Sequence, residues 1–145
     1  MINNYFVTYP QIGIIGPEGH LLNTKNYWGY NRKLVNALAK KLDYDLEDEF
    51  HFIAGTMFWI RADVLKTLKK LDLKEGDFEN EDDLKNIKDG TLSHAVERIF
   101  SVCCFINHKL VIDTRVFNGH SQLDFKSLKR YDPNNYDFAM PIVVE

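Results

Sequence analysis

A chain of 145 residues with 45% hydrophobic side chains carries enough apolar material for one ordinary domain with a single core, and too much for a disordered tract. A formal charge of -3, with both signs mixed along most of the length, leaves no basic field of the kind that binds a phosphate backbone, so no nucleic-acid partner is expected. No apolar run nears the about 18–20 residues that span a bilayer and the N-terminus lacks the pattern of a signal peptide, so a soluble, unexported chain is expected.

Residues 2–9 are aromatic and polar without a clean period, and Pro10 ends whatever they form; a short helix turning Ile2, Phe6 and Val7 inward is expected. Ile12-Gly13-Ile14-Ile15-Gly16, bounded by Pro17-Glu18-Gly19, has the composition of an interior strand and a turn. These glycines do not make a phosphate loop: no lysine with Ser or Thr follows, and Gly-x-x-Gly-x-x-Gly is not the dinucleotide spacing. Asn26-Tyr27-Trp28-Gly29-Tyr30-Asn31 then gathers aromatic rings and amides in a loop. Such a surface suits a sugar or a protein partner, and the same composition also serves to cap a core edge.

Over 32–42, Leu34, Val35, Leu38 and Leu42 recur at helical spacing, with Lys40 and Lys41 placed to favour the helix dipole. Asp43-Tyr44-Asp45 spells the Asp-x-Asp with which sugar transferases hold a metal on a nucleotide diphosphate. That chemistry wants carboxylates at the end of a buried strand, and here they follow an amphipathic helix, so a solvated acidic loop is expected. Residues 52–60 read as one buried strand interrupted by Gly55, where a bulge or a close backbone approach is expected. Residues 62–71 form an amphipathic helix, and the charge-rich 72–88 reads as a mobile loop over whatever site lies beneath.

From Thr91 a helix sorts by angle, with Leu92, Ala95, Val96, Ile99, Phe100 and Cys103 on a core face and Thr91, His94, Glu97, Arg98 and Ser101 on a polar one. Asp89 is expected to cap this helix, held ionised by backbone N–H groups and the positive dipole end. The adjacent Cys103 and Cys104 point apart, so buried thiols in a reducing compartment are expected. Leu110-Val111-Ile112 reads as a strand, 117–135 as polar loop and 138–144 as a last edge strand, within a poorly defined tail from 115. No serine elbow is present, and His94-Ala95-Val96-Glu97 lacks the second histidine of a zincin helix. A metal site from Asp89, His94 and Glu97 is sterically conceivable, beside two simpler readings of Asp89 as helix cap or as general base.

Read together, Ala54-Gly55-Thr56-Met57-Phe58-Trp59-x-Arg61, the acidic loop with Glu81, and Asp89-Gly90-Thr91-Leu92-x-His94-Ala95-x-Glu97-Arg98 resemble the rhamnan synthesis protein F family. Gly13-Ile14-Ile15-Gly16-Pro17-Glu18-Gly19-His20 and Trp28-Gly29-x-Asn31 resemble its lead-in, so the likeness covers roughly residues 10–105. The resemblance implies a bacterial glycosyltransferase, or part of one, that builds rhamnose-containing cell-wall or surface polysaccharide. It implies an α/β, glycosyltransferase A-like domain with a mixed sheet flanked by amphipathic helices. It also implies dTDP-rhamnose as nucleotide-sugar donor, a growing, often lipid-linked glycan as acceptor, and a cytoplasmic location that includes the inner face of the membrane, in peripheral association with that glycan.

By analogy of layout the resemblance makes Asp89 the base of an inverting transfer, with Glu81 the second choice. It places Gly55 and Thr56 in the pocket, has His94, Glu97 and Arg98 orient the base or contact phosphate and sugar, and lets Trp59 or Trp28 offer a flat face to a sugar ring. A divalent ion, Mg or Mn, belongs to the intact enzyme on this view, although no site for it is legible in this chain. The departure is that about ten residues precede the first clear strand, where such a domain builds its nucleotide-binding half. The expectation is therefore a single domain over 1–145, the C-terminal, acceptor-side portion of a transferase, with the donor-binding half missing or reduced and little activity alone. The alternatives are a non-catalytic carbohydrate-binding or assembly module, and an internal ion-pair network of His94, Glu97 and Arg98.

Overall fold

The computed structural model describes residues 2–80 and 89–117. In chain order they form α1 (Ile2–Thr8), β1 (Ile12–Gly16), β2 (Leu21–Asn23), α2 (Thr24–Tyr27), α3 (Arg32–Lys41), β3 (His51–Ile53), β4 (Trp59–Ile60), α4 (Ala62–Leu68), α5 (Leu92–Ile106) and β5 (Leu110–Asp113). Glu81, Asp82, Asp83 and the loop and strand expected after Phe117 lie outside the described residues.

β1 is short, rich in isoleucine and buried along its whole length, which suits the middle of a sheet covered on both sides. It pairs parallel with β5, from Ile12 opposite Leu110 to Gly16 opposite Asp113, and antiparallel with β4, where Ile14 faces Ile60 and Ile15 faces Trp59. The result is a mixed three-stranded sheet in a mixed α/β arrangement. On the face of Ile14 and Val111 lies the main core, where α5 packs with α3 and α4 through Val35, Leu38, Val64, Ala95, Ile99 and Val102. On the face of Ile15 and Ile112 lies a smaller cluster with Tyr9 and Val116, against which α1 lays Ile2, Tyr5 and Phe6. Val7, expected to point inward, is 83% exposed, because a helix of two turns has only one stripe to bury.

The apolar run at 52–60 is not one strand. β3 pairs antiparallel with β2 in a separate two-stranded sheet, whereas β4 belongs to the sheet of β1. Between them Gly55 (φ 88°) and Thr56 (φ 54°) are both left-handed, and two such residues in succession cannot continue a ladder. An unbroken apolar run reads the same for one buried strand as for two short ones. Arg61 then ties the smaller cluster down: its Nε donates to the Ile12 carbonyl at 2.8 Å and its Nη2 to those of Phe6 and Tyr9 at 2.5 and 3.2 Å.

Residues 72–80 also differ from the loose loop expected there. α4 tightens into a 3₁₀ turn at Lys69–Leu71 and stops at Asp72, whose φ is 50°. A second such turn, Glu75–Asp77, is closed by the Lys74 N–H donating to Asp77 Oδ2 at 2.8 Å, and Phe78 packs on the main core. Glu79 accepts the N–H of Leu92 at 2.7 Å. The cap of α5 is Thr91, not Asp89: its Oγ1 accepts the His94 N–H at 3.3 Å and lies 2.6 Å from His94 Nδ1.

Nor is α5 polar on an open side. Thr91, Arg98 and Ser101 are buried, and His94 and Glu97 half-buried, because the loop after α2 and strand β3 cover that stripe. Angular sorting separates polar from apolar positions but does not show what a second layer covers. Both cysteines are free and buried, and burial pushes the Cys103 thiol up to about 12 and that of Cys104 well above the usual range.

Candidate functional site

Asp89 is half-buried in the segment leading into α5 and turned toward the loop between α2 and α3. Its Oδ1 accepts from Asn31 Nδ2 and its Oδ2 from the Tyr30 N–H at 3.3 Å. Burial alone would raise its pKa. The hydrogen bonds from the Asn31 amide and the backbone of Gly90 and Tyr30, with the charge of Arg98, outweigh that effect and hold the carboxyl below its ordinary value. The anion is thus fixed by two donors from a loop some sixty positions earlier in sequence and by the backbone of Gly90.

The two loops fit only because of two glycines with positive φ. A Cβ on Gly29 (φ 50°) would overlap Asp89 Oδ2, and one on Gly90 (φ 85°) would lie 3.0 Å from the Cβ of Tyr30. Each glycine makes room for a side chain of the other loop.

Arg98 is 5% exposed and faces inward. Its Nη1 donates to the His94 carbonyl at 2.7 Å and its Nη2 to that of Tyr27 at 2.5 Å, while the guanidinium lies 4.5 Å over the Phe52 ring. Burial lowers its pKa, opposed by Glu97 and Asp89. Glu97 Oε2 is 3.7 Å from Arg98 Nη1, and Glu97 Oε1 accepts the Gly55 N–H at 2.7 Å. α5 therefore joins three segments: the aromatic loop through Arg98, the Gly55–Thr56 turn through Glu97, and the approach of Asp89.

Among the residues singled out from sequence, Asp89, Glu97, Arg98 and Gly55 share this network. His94 adjoins it through its carbonyl, with its ring bonded to Thr91. Thr56 is exposed and folds its hydroxyl onto the Gly55 carbonyl at 2.8 Å. Trp28 turns inward, its indole N–H donating to the Asp48 carbonyl at 3.1 Å and its ring meeting Phe50 edge-on at 5.5 Å. Trp59 pairs with Ile15 and so shares the sheet face of α1, opposite to α5. Glu81 lies outside the described residues.

Asp89, His94 and Glu97 each turn to a different protein partner, and among the described residues no group of three or more His, Cys, Asp or Glu side chains is spaced to hold a metal. These three therefore do not fit a divalent ion. Sequence reasoning missed Asn31, buried at the start of α3, as the donor to Asp89. The available signal was the glycine two residues before it, since Trp28-Gly29-x-Asn31 and Asp89-Gly90 are the two halves of one interlock.

Fold and site together define a mixed α/β domain whose polar centre is a hydrogen-bonded carboxylate beside a buried arginine. The profile of rhamnan synthesis protein F matches residues 3–109, and the chain belongs to that family. Two relatives in Xanthomonas campestris pv. campestris, from strain B100 and from a second strain, each described as uncharacterized protein WxcX, are 37% identical over 98 residues, 67% of this chain. The chain spans 14% of the length of those relatives. No solved structure matches it. None of the described helices is long and apolar enough to cross a membrane.

Proposed function

We propose that this chain is the acceptor-side portion of a glycosyltransferase A-like enzyme that transfers rhamnose from dTDP-rhamnose to a growing rhamnan by inverting displacement. The observation that carries the reading is the state of Asp89, an ionised carboxylate held by Asn31 and Tyr30 at the junction of three segments. In an inverting transfer the acceptor hydroxyl attacks the anomeric carbon opposite the leaving diphosphate. A fixed carboxylate takes its proton as the new bond forms. On this reading Asp89 is the base, Asn31 and Arg98 are positioning residues, and Glu97 holds the Gly55 turn at the rim. A nucleotide-binding half then comes from sequence beyond these 145 residues, and the acceptor is a cytoplasmic, membrane-associated glycan.

Support for Asp89 over the other acids comes from its hydrogen bonding, since Glu97 is tied to Gly55. The test is Asp89→Asn in the protein expressed from its complete reading frame, with transfer to an oligorhamnoside as readout. The expected loss is about a hundredfold or more with folding retained, and near-normal transfer removes Asp89 from the mechanism. Turnover of dTDP-rhamnose by the 145-residue chain alone would overturn the division into donor and acceptor parts.

A second reading, a carbohydrate-binding or assembly module without transfer, draws on the exposed rings of Tyr27 and Tyr30 beside Asp89. Separate titrations with dTDP and an oligorhamnoside decide between them: sugar binding uncoupled from nucleotide in the complete protein favours the module.

A further inference from the structure

We infer that Tyr27 and Tyr30 form a stacking platform for the apolar face of a 6-deoxyhexose ring of the acceptor. The inference rests on the glycan reading above and names the part of that glycan the site grips. Trp28, the ring that sequence offers first, is taken: its N–H is bonded to Asp48, its edge meets Phe50, and the Arg32 guanidinium lies 5.7 Å from its ring centre. Tyr30 is 87% exposed and Tyr27 49%, on either side of it.

These two rings stand on a backbone pinned by the site itself. The Tyr30 N–H is bonded to Asp89, the Tyr27 carbonyl accepts from Arg98, and the turn between them is closed by the Asn31 N–H donating to the Trp28 carbonyl at 3.0 Å. The Tyr30 Cβ rests against Gly90. Because the backbone beneath is fixed, ordering each ring on binding costs only two side-chain torsions. A 6-deoxyhexose carries a methyl where an ordinary hexose carries a hydroxymethyl group, so one face of its ring is more apolar. A tyrosine face covers that surface while its hydroxyl stays in reach of the sugar's own hydroxyls. The Tyr30 N–H, the Tyr27 carbonyl and the Asn31 amide turn to Asp89 and Arg98 while the rings of Tyr27 and Tyr30 stay exposed, the order that seats an acceptor ring next to the base.

The experiment titrates the full chain with a rhamnose trisaccharide and with a mannose trisaccharide, followed by backbone amide NMR shifts. The wild type is expected to bind the rhamnose ligand more tightly, with shifts centred on residues 27–31 and 89–91. Tyr30→Ala is expected to weaken it about tenfold, while Tyr30→Phe stays within about twofold and Trp59→Ala, on the other sheet face, has no effect. No binding by the wild type, or equal affinity in Tyr30→Ala with an unchanged amide spectrum, overturns the platform. If Tyr30→Ala binds normally while Asp89→Asn still abolishes transfer, the platform falls and the base stands. If Tyr30→Ala loses binding while Asp89→Asn transfers normally, the base falls and the platform stands.

Discussion

The carboxylate of Asp89 occupies the space into which any side chain at Gly29 would project: a Cβ there would overlap Oδ2 and lie 2.8 Å from Cγ. The helix cap and the catalytic candidate, one residue in the sequence reading, are in consequence two. Thr91 caps α5, and Asp89 is free to turn to the aromatic loop.

Gly29→Ala is expected to cost more than the left-handed backbone alone. At Gly19, with φ 79° and no atom within 4 Å of the added methyl, alanine should cost about 1 kcal/mol. At Gly29 the same strain is joined by eviction of Asp89, for about 3 kcal/mol in all. Urea denaturation of the two variants measures the difference, and equal losses would show that Asp89 does not need this space.

The stability contributed by ionised Asp89 should be lost in acid. Its pKa is lower in the folded chain than in the unfolded one, so the contribution is complete above about pH 4 and fades as pH falls through the folded value. Thermal melts from pH 2 to 7 should show wild type and Asp89→Asn converging below about pH 4. A constant gap between them across that range would mean that Asp89 does not titrate as described.

Removing the Arg98 side chain should be severe. Arg98→Ala strips donors from two carbonyls, leaves Glu97 without its cationic neighbour and opens the space over Phe52, for about 3 kcal/mol. Arg98→Lys should recover only part, since an ammonium cannot span both carbonyls while stacking on the ring. Chemical denaturation gives both values, and a loss below about 1 kcal/mol for alanine would contradict the network.

Glu97 can be tested by keeping or removing its acceptor. Glu97→Gln retains an oxygen for the Gly55 N–H and should lose under about 1 kcal/mol, whereas Glu97→Ala should lose about 2 kcal/mol. Amide exchange at Gly55 is the local readout: it should rise in the alanine variant and stay slow in the glutamine one.

Both thiols should resist alkylation in the native state. With Cys103 raised to about 12 and Cys104 well above the ordinary thiol range, neither is nucleophilic near neutral pH. Iodoacetamide at pH 8 should label both in urea and neither without it.

Where the sequence pattern is strong, expectation and structure agree. The isoleucine run of β1, the spacing of Val35 and Leu38 in α3, and Leu110-Val111-Ile112 in β5 follow from periodicity and composition, and the family was legible in Ala54–Arg61 and Asp89–Arg98. Gly55 was visible as a break, but nothing local shows that the strands on its two sides belong to different sheets, because strand partners are chosen over long separations. The polar stripe of α5 was sorted correctly by angle, but what covers it was not legible. Its cover, the loop at 27–31 and Phe52, comes from elements with no sequence link to it. The role of Asn31 escaped notice for the same reason, as it exists only once Asp89 arrives. Val7 failed more simply, for want of core on its side of α1.

The pairing of the aromatic loop with residues 89 and 90 also fixes when that loop can take its shape. Its long-range bonds run to donors and acceptors 58 to 71 positions downstream, so a nascent chain that has emerged only as far as α4 has just the local Asn31–Trp28 bond and the seat of Trp28 on Asp48 and Phe50 to set the turn at Tyr27–Asn31. During vectorial synthesis the rings of Tyr27 and Tyr30 then stand on a segment anchored through Trp28 alone until the Asp89–Arg98 stretch clears the ribosome. Pulse proteolysis of stalled chains ending before and after α5 would time that closure.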